Sequence, residues 1–442
     1  MRATIGMSFK LVLAIAMSTN VLAKESGVEK VTTPLQEYVN AEDDSYEWNV
    51  RGNDSHNGCT VLDIELTSQT WQDIKWQHTM SAFVPPNIKH NGSVLLFITG
   101  GKIGGQADEG DIELGTKLAK TAQMPCVILH TVPNQPLFGG RTEDDLITDT
   151  FLKYLDTKDK TWPLLFPMAK SAVKAMDAVS ELAAQYYGAK IDQFVVTGAS
   201  KRGWTSWLTA VADPRVVGVA PIVIDTLNFK PQMKGQIDRW GEYSEQIIDY
   251  TSKGLVKKEE EEDEVTTELM RWVDPYTYRN QLTLPKLLIN GTNDRYWVVD
   301  AMNQYWDDLV GPKHVLYVPN GGHGLGDGKV DAMTTLAVFA QHSAAKKELP
   351  KLSWKHDDDG DKFRLTVESD ETPNEVQLWV ATSDNLDFRS SEWTATTVKF
   401  NGEGVAVAHV DRPESGHIAF YGEATYPYGP LGYGVSTQIR VE

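Results

Sequence analysis

The chain of 442 residues has only two cysteines, Cys59 and Cys126, too few to build a zinc site by themselves. It carries no glycine-rich phosphate loop, no HExxH and no paired-cysteine spacing, so nucleotide binding and metalloprotease chemistry have no motif to rest on, and no cofactor and no metal are expected. Positive charge is scarce as well: 42 Lys and Arg stand against 61 Asp and Glu, a net charge of −19. That balance excludes nucleic acid as a partner, since phosphate binding needs a basic face. Beyond the N-terminus no apolar run approaches the roughly 20 residues of a membrane span. What is left, 41% hydrophobic and 23% charged, is globular composition, and the length suggests two to three domains.

The N-terminus reads as a targeting segment. Arg2 and Lys10 precede the apolar run 11–17, and Val21, Leu22 and Ala23 give a small-residue cleavage pattern. Residues 1–23 are therefore expected to be a signal peptide, with a mature chain that starts near Lys24, carries −21 once Arg2 and Lys10 are gone, and is exported to the periplasm or secreted. After export Cys59 and Cys126 have two open fates, one disulfide or buried free thiols, because Cys126 sits in an apolar strand-like run. The acidic surface draws in cationic ligands over a distance.

From about residue 59 to 345, short β-branched runs alternate with helix-length amphipathic segments, the pattern of a mostly parallel sheet covered by helices. Runs 94–99, 126–130, 194–197, 219–224, 287–290 and 315–318 predict core strands, with 61–66 and 79–84 as antiparallel starters. The spacing of Ala172, Val173, Met176, Val179, Leu182 and Ala183 predicts a helix over 168–187 with a polar face toward water. Residues 226–284 break the alternation, include the charge run 257–264, and are expected to lie over one sheet edge as a cap. Six of the 13 tryptophans, Trp204, Trp207, Trp240, Trp272, Trp297 and Trp306, fall between residues 200 and 310. Most should pack the interior, and some could wall a pocket. After about 346 the period becomes two, in runs separated by Gly, Pro, Asp and Asn turns. This predicts an all-β module over 346–442, most simply an immunoglobulin-like or fibronectin-like sandwich. The aspartates from Asp357 to Asp361 read as a turn between two strands, with no bidentate Glu to complete a calcium loop.

The chemistry centres on Gly198, Ala199, Ser200, Lys201, Arg202 and Gly203, set between a strand and a helix. A sharp glycine-flanked turn lifts Ser200 Oγ out of the sheet and aims the next N–H groups at any anion formed there, the arrangement of a nucleophile elbow. The usual Gly-x-Ser-x-Gly pattern is offset, with Arg202 where the second glycine belongs; the alternative role for Ser200 is a helix cap. A serine nucleophile needs a base oriented by an acid, in the order Ser, Asp or Glu, His. Asp294 follows the strand run 287–290, and His323 sits in Gly321, Gly322, His323, Gly324 after the run 315–318. Asp225, after the run 219–224, is the alternative acid, and His314 is the rival histidine. For the oxyanion, Lys201 supplies one N–H, and Gly100 or Gly101 in the turn after residue 99 supplies another. Ser171 and Lys174 have Ser-x-x-Lys spacing but lie on the long helix without partners.

These residues resemble the PhoPQ-activated pathogenicity-related proteins, exported relatives of the α/β-hydrolase superfamily. The resemblance runs from about Val31 to the C-terminus, through Leu96 to Gly101, Trp162 and Pro163, the helix from Met168, the Gly198 to Trp204 elbow, and Asn290, Gly291, Asn293, Asp294 with His323. It implies an α/β-hydrolase core with a cap insertion followed by a β-sandwich, with Ser200, Asp294 and His323 in the triad positions; the late glycine fits this family. The elbow is also similar to that of glucuronoyl esterases, where a basic residue after the nucleophile implies that Lys201 assists the oxyanion or a substrate carboxylate. The resemblance does not define a substrate; the expected activity is hydrolysis of an ester or amide, in a small molecule or a peptide, through an acyl-enzyme at Ser200. The alternatives are a carbohydrate esterase, or a hydrolase scaffold that binds cationic antimicrobial peptides without turning them over.

Overall fold

Fourteen strands of this chain share one sheet, in a computed structural model that describes residues 32–256, 264–401 and 404–442. The expected signal peptide and nearly all of the charge run lie outside the described residues. The sheet opens with three antiparallel strands, β1 (Glu47–His56), β2 (Cys59–Trp71) and β3 (Ile74–Val84). It continues through β4 (Ser93–Ile98), β5 (Cys126–Leu129), β6 (Gln193–Ala199), β7 (Val216–Ile222), β8 (Lys286–Gly291) and β9 (Lys313–Val318), all parallel to one another. The spatial order is β1-β2-β3-β5-β4-β6-β7-β8-β9. From β4 the chain winds one way to β5 and then the other way to β6, so a crevice opens beyond the carboxyl ends of these strands, where ligands bind in open α/β sheets. With an elbow after β6, this is the α/β-hydrolase architecture.

Apolar residues occupy both faces of the central strands, and helices cover them. On one face lie α1 (Pro34–Asn40), α4 (Leu165–Tyr187) and α5 (Lys201–Ala212); on the other lie α2 (Glu109–Ala122) and α9 (Lys329–Ala344). Helix α3 (Glu143–Thr157) runs under the cap, which is built between β7 and β8 from α6 (Phe229–Trp240), α7 (Ile248–Thr251) and α8 (Glu264–Val273).

Helix α4 departs from expectation in its first half: the polar face is buried at Lys170 and Ser171, half-buried at Lys174 and Asp177, and reaches water only at Glu181 and over 184–187. Lys170 is buried and donates to Ala41 O at 2.7 Å, while Ser171 Oγ donates to Pro167 O at 2.9 Å and meets Ser68 at 3.1 Å. Helix α1 and the strands that follow it, β1 and β2, fold back over α4, and Trp48 Nε1 reaches Glu181 at 2.7 Å. Ser171 is thus bonded within the contact of α4 with β2, and Lys174 pairs with Asp177 at 2.9 Å. Cys59 and Cys126 are buried free thiols, set on β2 and β5 with β3 between them.

The C-terminal region forms two antiparallel layers. One is β10 (Leu352–Asp359), β11 (Lys362–Ser369) and β14 (Val405–Asp411); the other contains β12 (Glu375–Ser383), β13 (Thr394–Val398), β15 (His417–Tyr428), β16 (Leu431–Ser436) and the short β17 (Arg440–Val441). Asp359 pairs with Lys362 across a turn at Gly360, so the aspartate run is a hairpin end. The second layer continues the core sheet through β9 and β16, where Ser436 lies opposite Val315. Both hydrophobic cores also cross residue 346: Phe388 and Trp393 share one with β8 and α4, and Phe363 and Phe420 share the other with α9. Residues Thr33–Glu442 accordingly make one unit.

Candidate active site

The strand-to-helix turn after β6 places Ser200 at φ 57°, ψ −129°, a backbone conformation that costs a non-glycine residue free energy and persists only where its surroundings enforce it. Here they do: Ser200 N–H donates to Ile222 O at 2.8 Å and Trp204 N–H returns to Ser200 O at 3.1 Å. Ser200 precedes α5, yet its hydroxyl makes no capping bond, which removes the cap reading and leaves Oγ free for chemistry. The late glycine has a steric reason. A Cβ on Gly203 would meet Ile224 Cγ2 at 2.5 Å and Gly198 O at 2.9 Å, so the first turn of α5 runs against the ends of β6 and β7 at this residue.

The loops after β8 and β9 carry the other two groups. His323 Nδ1 lies 2.8 Å from Asp294 Oδ2, and the second carboxylate oxygen accepts Tyr296 N–H at 2.9 Å. The Tyr296 ring lies against the imidazole, with centroids 4.3 Å apart and the planes tilted by 31°. Asp294 is buried and His323 about one-third exposed, so the acid is fixed while the base faces the crevice. Ser200 and His323 line the same pocket. Asp225 takes no part in this pairing: it accepts from Tyr305 OH and from Asn290 Nδ2 at 3.2 Å. Burial pushes its carboxyl up to about 7, against the lowering effect of the Tyr305 hydrogen bond and with help from the Asp294 and Asp300 charges. His314 is buried within β9, and burial lowers it to about 4.

Sequence reasoning missed the group that organises the elbow. Glu143, at the start of α3, meets the Arg202 guanidinium with two bonds of 2.6 and 2.7 Å and takes Lys201 Nζ at 3.0 Å. Lys201 also pairs with Asp144 at 3.2 Å, and Arg202 Nε donates to Val132 O at 2.6 Å. Burial acts to raise the Glu143 carboxyl, but the Arg202 hydrogen bond and charge, with Lys201, prevail and hold it at about 2. The signal was the acidic triplet Glu143, Asp144, Asp145 opening a helix, which reads as dipole compensation and gives no hint of a distant partner. This network corrects one expectation: the Lys201 ammonium is committed to two carboxylates and is not a free cation for a substrate carboxylate. Gly100 lies against Arg202, where a Cβ would come within 2.5 Å of Nη2. Its carbonyl accepts Thr131 N–H at 2.7 Å and that of Gly101 accepts Gln135 Nε2 at 3.0 Å. The first N–H groups of α5, beginning at Lys201, have no acceptor within their own helix.

The cavity over Ser200 is small, ≈ 30 Å³, and opens to solvent. Trp204 and Trp297 form part of its wall, whereas Trp207, Trp272 and Trp306 are buried in the core.

Among proteins of known description, the chain is 32% identical over 435 residues to autocrine proliferation repressor protein A of Dictyostelium discoideum, covering 90% of this chain and 86% of that one. Solved structures that superpose on it include an acetyl xylan esterase from Paenibacillus sp. R4 (TM-score 0.48, 12% identity, 69% of this chain and 91% of that one). Acetyl xylan esterase 1 from Thermoanaerobacterium sp. JW/SL YS485 is another (TM-score 0.47, 16% identity, 68% and 93%). A family model matches residues 35–389, which include the elbow, the cap and both loops beyond β8 and β9, and with it the chain belongs to the PhoPQ-activated pathogenicity-related protein family.

Proposed function

We propose that this protein is a serine hydrolase that cleaves an ester or amide through Ser200, His323 and Asp294. The observation that carries the reading is the Asp294–His323 bond of 2.8 Å beside the pocket that Ser200 lines from a strained, uncapped turn. Ser200 Oγ attacks the substrate carbonyl carbon as His323 Nε2 takes the hydroxyl proton. The bond to the leaving group then breaks, and the leaving oxygen or nitrogen receives that proton from His323. Water, deprotonated by the same nitrogen, splits the acyl-serine to release acid and restore Ser200. Asp294 holds the Nδ1–H tautomer and stabilises the imidazolium. The Lys201 N–H, with one from Gly100 or Gly101, stabilises the developing oxyanion. The leader-like residues 1–23 support a site of action outside the cytoplasm.

A fluorophosphonate probe, which modifies activated serines, tests this directly. Labelling of the parent at Ser200 and none of Ser200→Ala is expected; turnover retained by Ser200→Ala sinks the assignment.

A further inference from the structure

The charged groups that line the pocket satisfy one another. Lys201 Nζ lies 3.2 Å from Asp144 Oδ2, and Tyr250 OH donates to Asp144 Oδ1 at 3.3 Å. Glu143 completes the pairing of Lys201 from outside the lining at 3.0 Å. An anionic substrate group would have to displace these acids from Lys201, and a cationic one would have to displace Lys201 from Asp144. In neither case does the substrate charge find an unpaired partner, since Lys201 keeps Glu143 and Glu143 keeps Arg202, so a desolvated charge gains little there, which disfavours both substrates. The rest of the wall is mostly hydrocarbon, from Ile224 just after β7, Phe229 and Met233 on α6, Ile247 in the cap and the rings of Trp204 and Trp297, joined by the neutral polar side chains Thr226 and Tyr296 and by the Trp297 Nε1–H, which is buried without a partner. Trp204 spends its one donor on Val273 O at 2.5 Å, so it turns ring carbon to the pocket.

We infer that the acyl group accepted beside Ser200 is uncharged and apolar, packed against the hydrocarbon part of this wall. This rests on the hydrolase reading. Its charge pattern departs from the cationic-peptide and uronic-acid substrates that the family resemblance suggests, and the cap, which supplies Phe229, Met233 and Ile247, is the specificity element.

The test is a series of 4-nitrophenyl esters: acetate, butyrate, hexanoate, benzoate, succinate and 6-aminohexanoate. Each added methylene that finds the wall is expected to raise kcat/KM about fourfold until the pocket is full, with the succinate and 6-aminohexanoate esters roughly 100-fold below their neutral counterparts. Acetate as the best substrate, or charged acyl groups that match neutral ones, would overturn the inference. Calorimetric titration of Ser200→Ala with acetamide, butyramide and hexanamide separates the two readings. Affinity that rises with chain length supports the apolar pocket even in the absence of turnover, and flat affinity rejects it even if the esters are hydrolysed.

A second observation stands apart from the pocket. The segment between β12 and β13, in the C-terminal region, holds both loops that carry Asp294 and His323. Asn293 Nδ2, next to Asp294, donates to Ser391 O at 2.7 Å. Asn320, three residues before His323, exchanges two bonds with Trp393, Nδ2 to O at 2.9 Å and N–H to Oδ1 at 2.7 Å. The two loops also touch directly, Asn293 N–H to Gly321 O at 2.9 Å, and a Cβ on Gly291 would come within 2.3 Å of that same oxygen. The geometry points to Asn293 and Asn320 as positioning residues through which the C-terminal region sets the Asp294–His323 pair.

Asn320→Ala is expected to lower kcat by tenfold or more with KM within twofold, to shift the acid limb of the kcat/KM profile, and to broaden the downfield Nδ1–H resonance of His323. Asn320→Asp, which keeps the acceptor for Trp393 N–H, should recover part of each. An Asn320→Ala protein with a lower Tm but parental kcat, pH profile and Nδ1–H resonance would make the contact purely structural. Since the resonance reports without turnover, it judges this proposal even if the hydrolase reading fails.

Discussion

Arg202 and Glu143 meet fork to fork, with two N–H···O contacts of 2.6 and 2.7 Å, and so tie the helix behind the elbow to the start of α3. A lysine can carry the charge but not the fork. Arg202→Lys is therefore expected to lose about 2 kcal/mol, the scale of hydrogen bonds to charged groups, measured by denaturant unfolding at neutral pH. The same pairing sets an acid limit. A carboxyl held at about 2 in the folded chain and ordinary in the unfolded one contributes stability that is present above about 4.5 and is lost as pH falls toward 2. Arg202→Ala should flatten that part of the stability profile.

Asp294→Asn keeps shape and removes charge. If Asp294 fixes the tautomer of His323, kcat should fall by roughly three to four orders of magnitude, as when a triad aspartate is neutralised, with KM little changed. Asp225→Asn should cost less than about tenfold, because Asp225 is bonded to Tyr305 and Asn290 rather than to the imidazole. Steady-state kinetics on the two variants decide between the acids, and a larger loss from Asp225→Asn would reverse the assignment.

Asp225 has the opposite linkage to Glu143. Its carboxyl is raised to about 7 by burial, so between roughly pH 4 and 7 the folded state binds more protons than the unfolded one, and the stability Asp225 contributes declines as pH rises. Asp225→Asn removes the titration. Its Tm relative to the parent should therefore improve from pH 4 to pH 8 in scanning calorimetry; an offset that does not vary with pH contradicts the argument.

Gly203→Ala puts a methyl group 2.5 Å from Ile224 Cγ2 and 2.9 Å from Gly198 O. Overpacking of this kind costs about 1–3 kcal/mol, and here the strain falls on the turn that holds Ser200. A lower Tm together with slower fluorophosphonate labelling is expected.

The elbow was legible because it is local. Gly198, Ser200 and Gly203 lie within six residues, and the strand before them and the helix after them announce themselves by composition. Asp294 and His323 were legible from strand-end context. Glu143 was not, because it lies 59 residues from Arg202 and looks like any acidic helix start. The face of α4 misled for a similar reason: its periodicity marks one apolar stripe, but α1 and β1 return from more than 100 residues away to cover the other side. Strands β10 and β13 carried too few periodic apolar residues to be read, and β13 is largely exposed; in β16 the alternation of Leu431, Tyr433 and Val435 is present but broken up by Gly432 and Gly434, which read as turn residues.

At the join of the two halves of the sheet, β9 meets β16 through a single residue pair, and the next N–H, that of Tyr317, is taken at 3.0 Å by the Ser436 hydroxyl. A row of unpaired amides at the rim of a hydrophobic sheet is a template for self-association. Ser436 closes that rim with its backbone at one residue and its side chain at the next, which makes the C-terminal region a guard against aggregation. A chain shortened after α9 would bare Val315 and Tyr317 and is expected to accumulate as oligomers in size-exclusion chromatography.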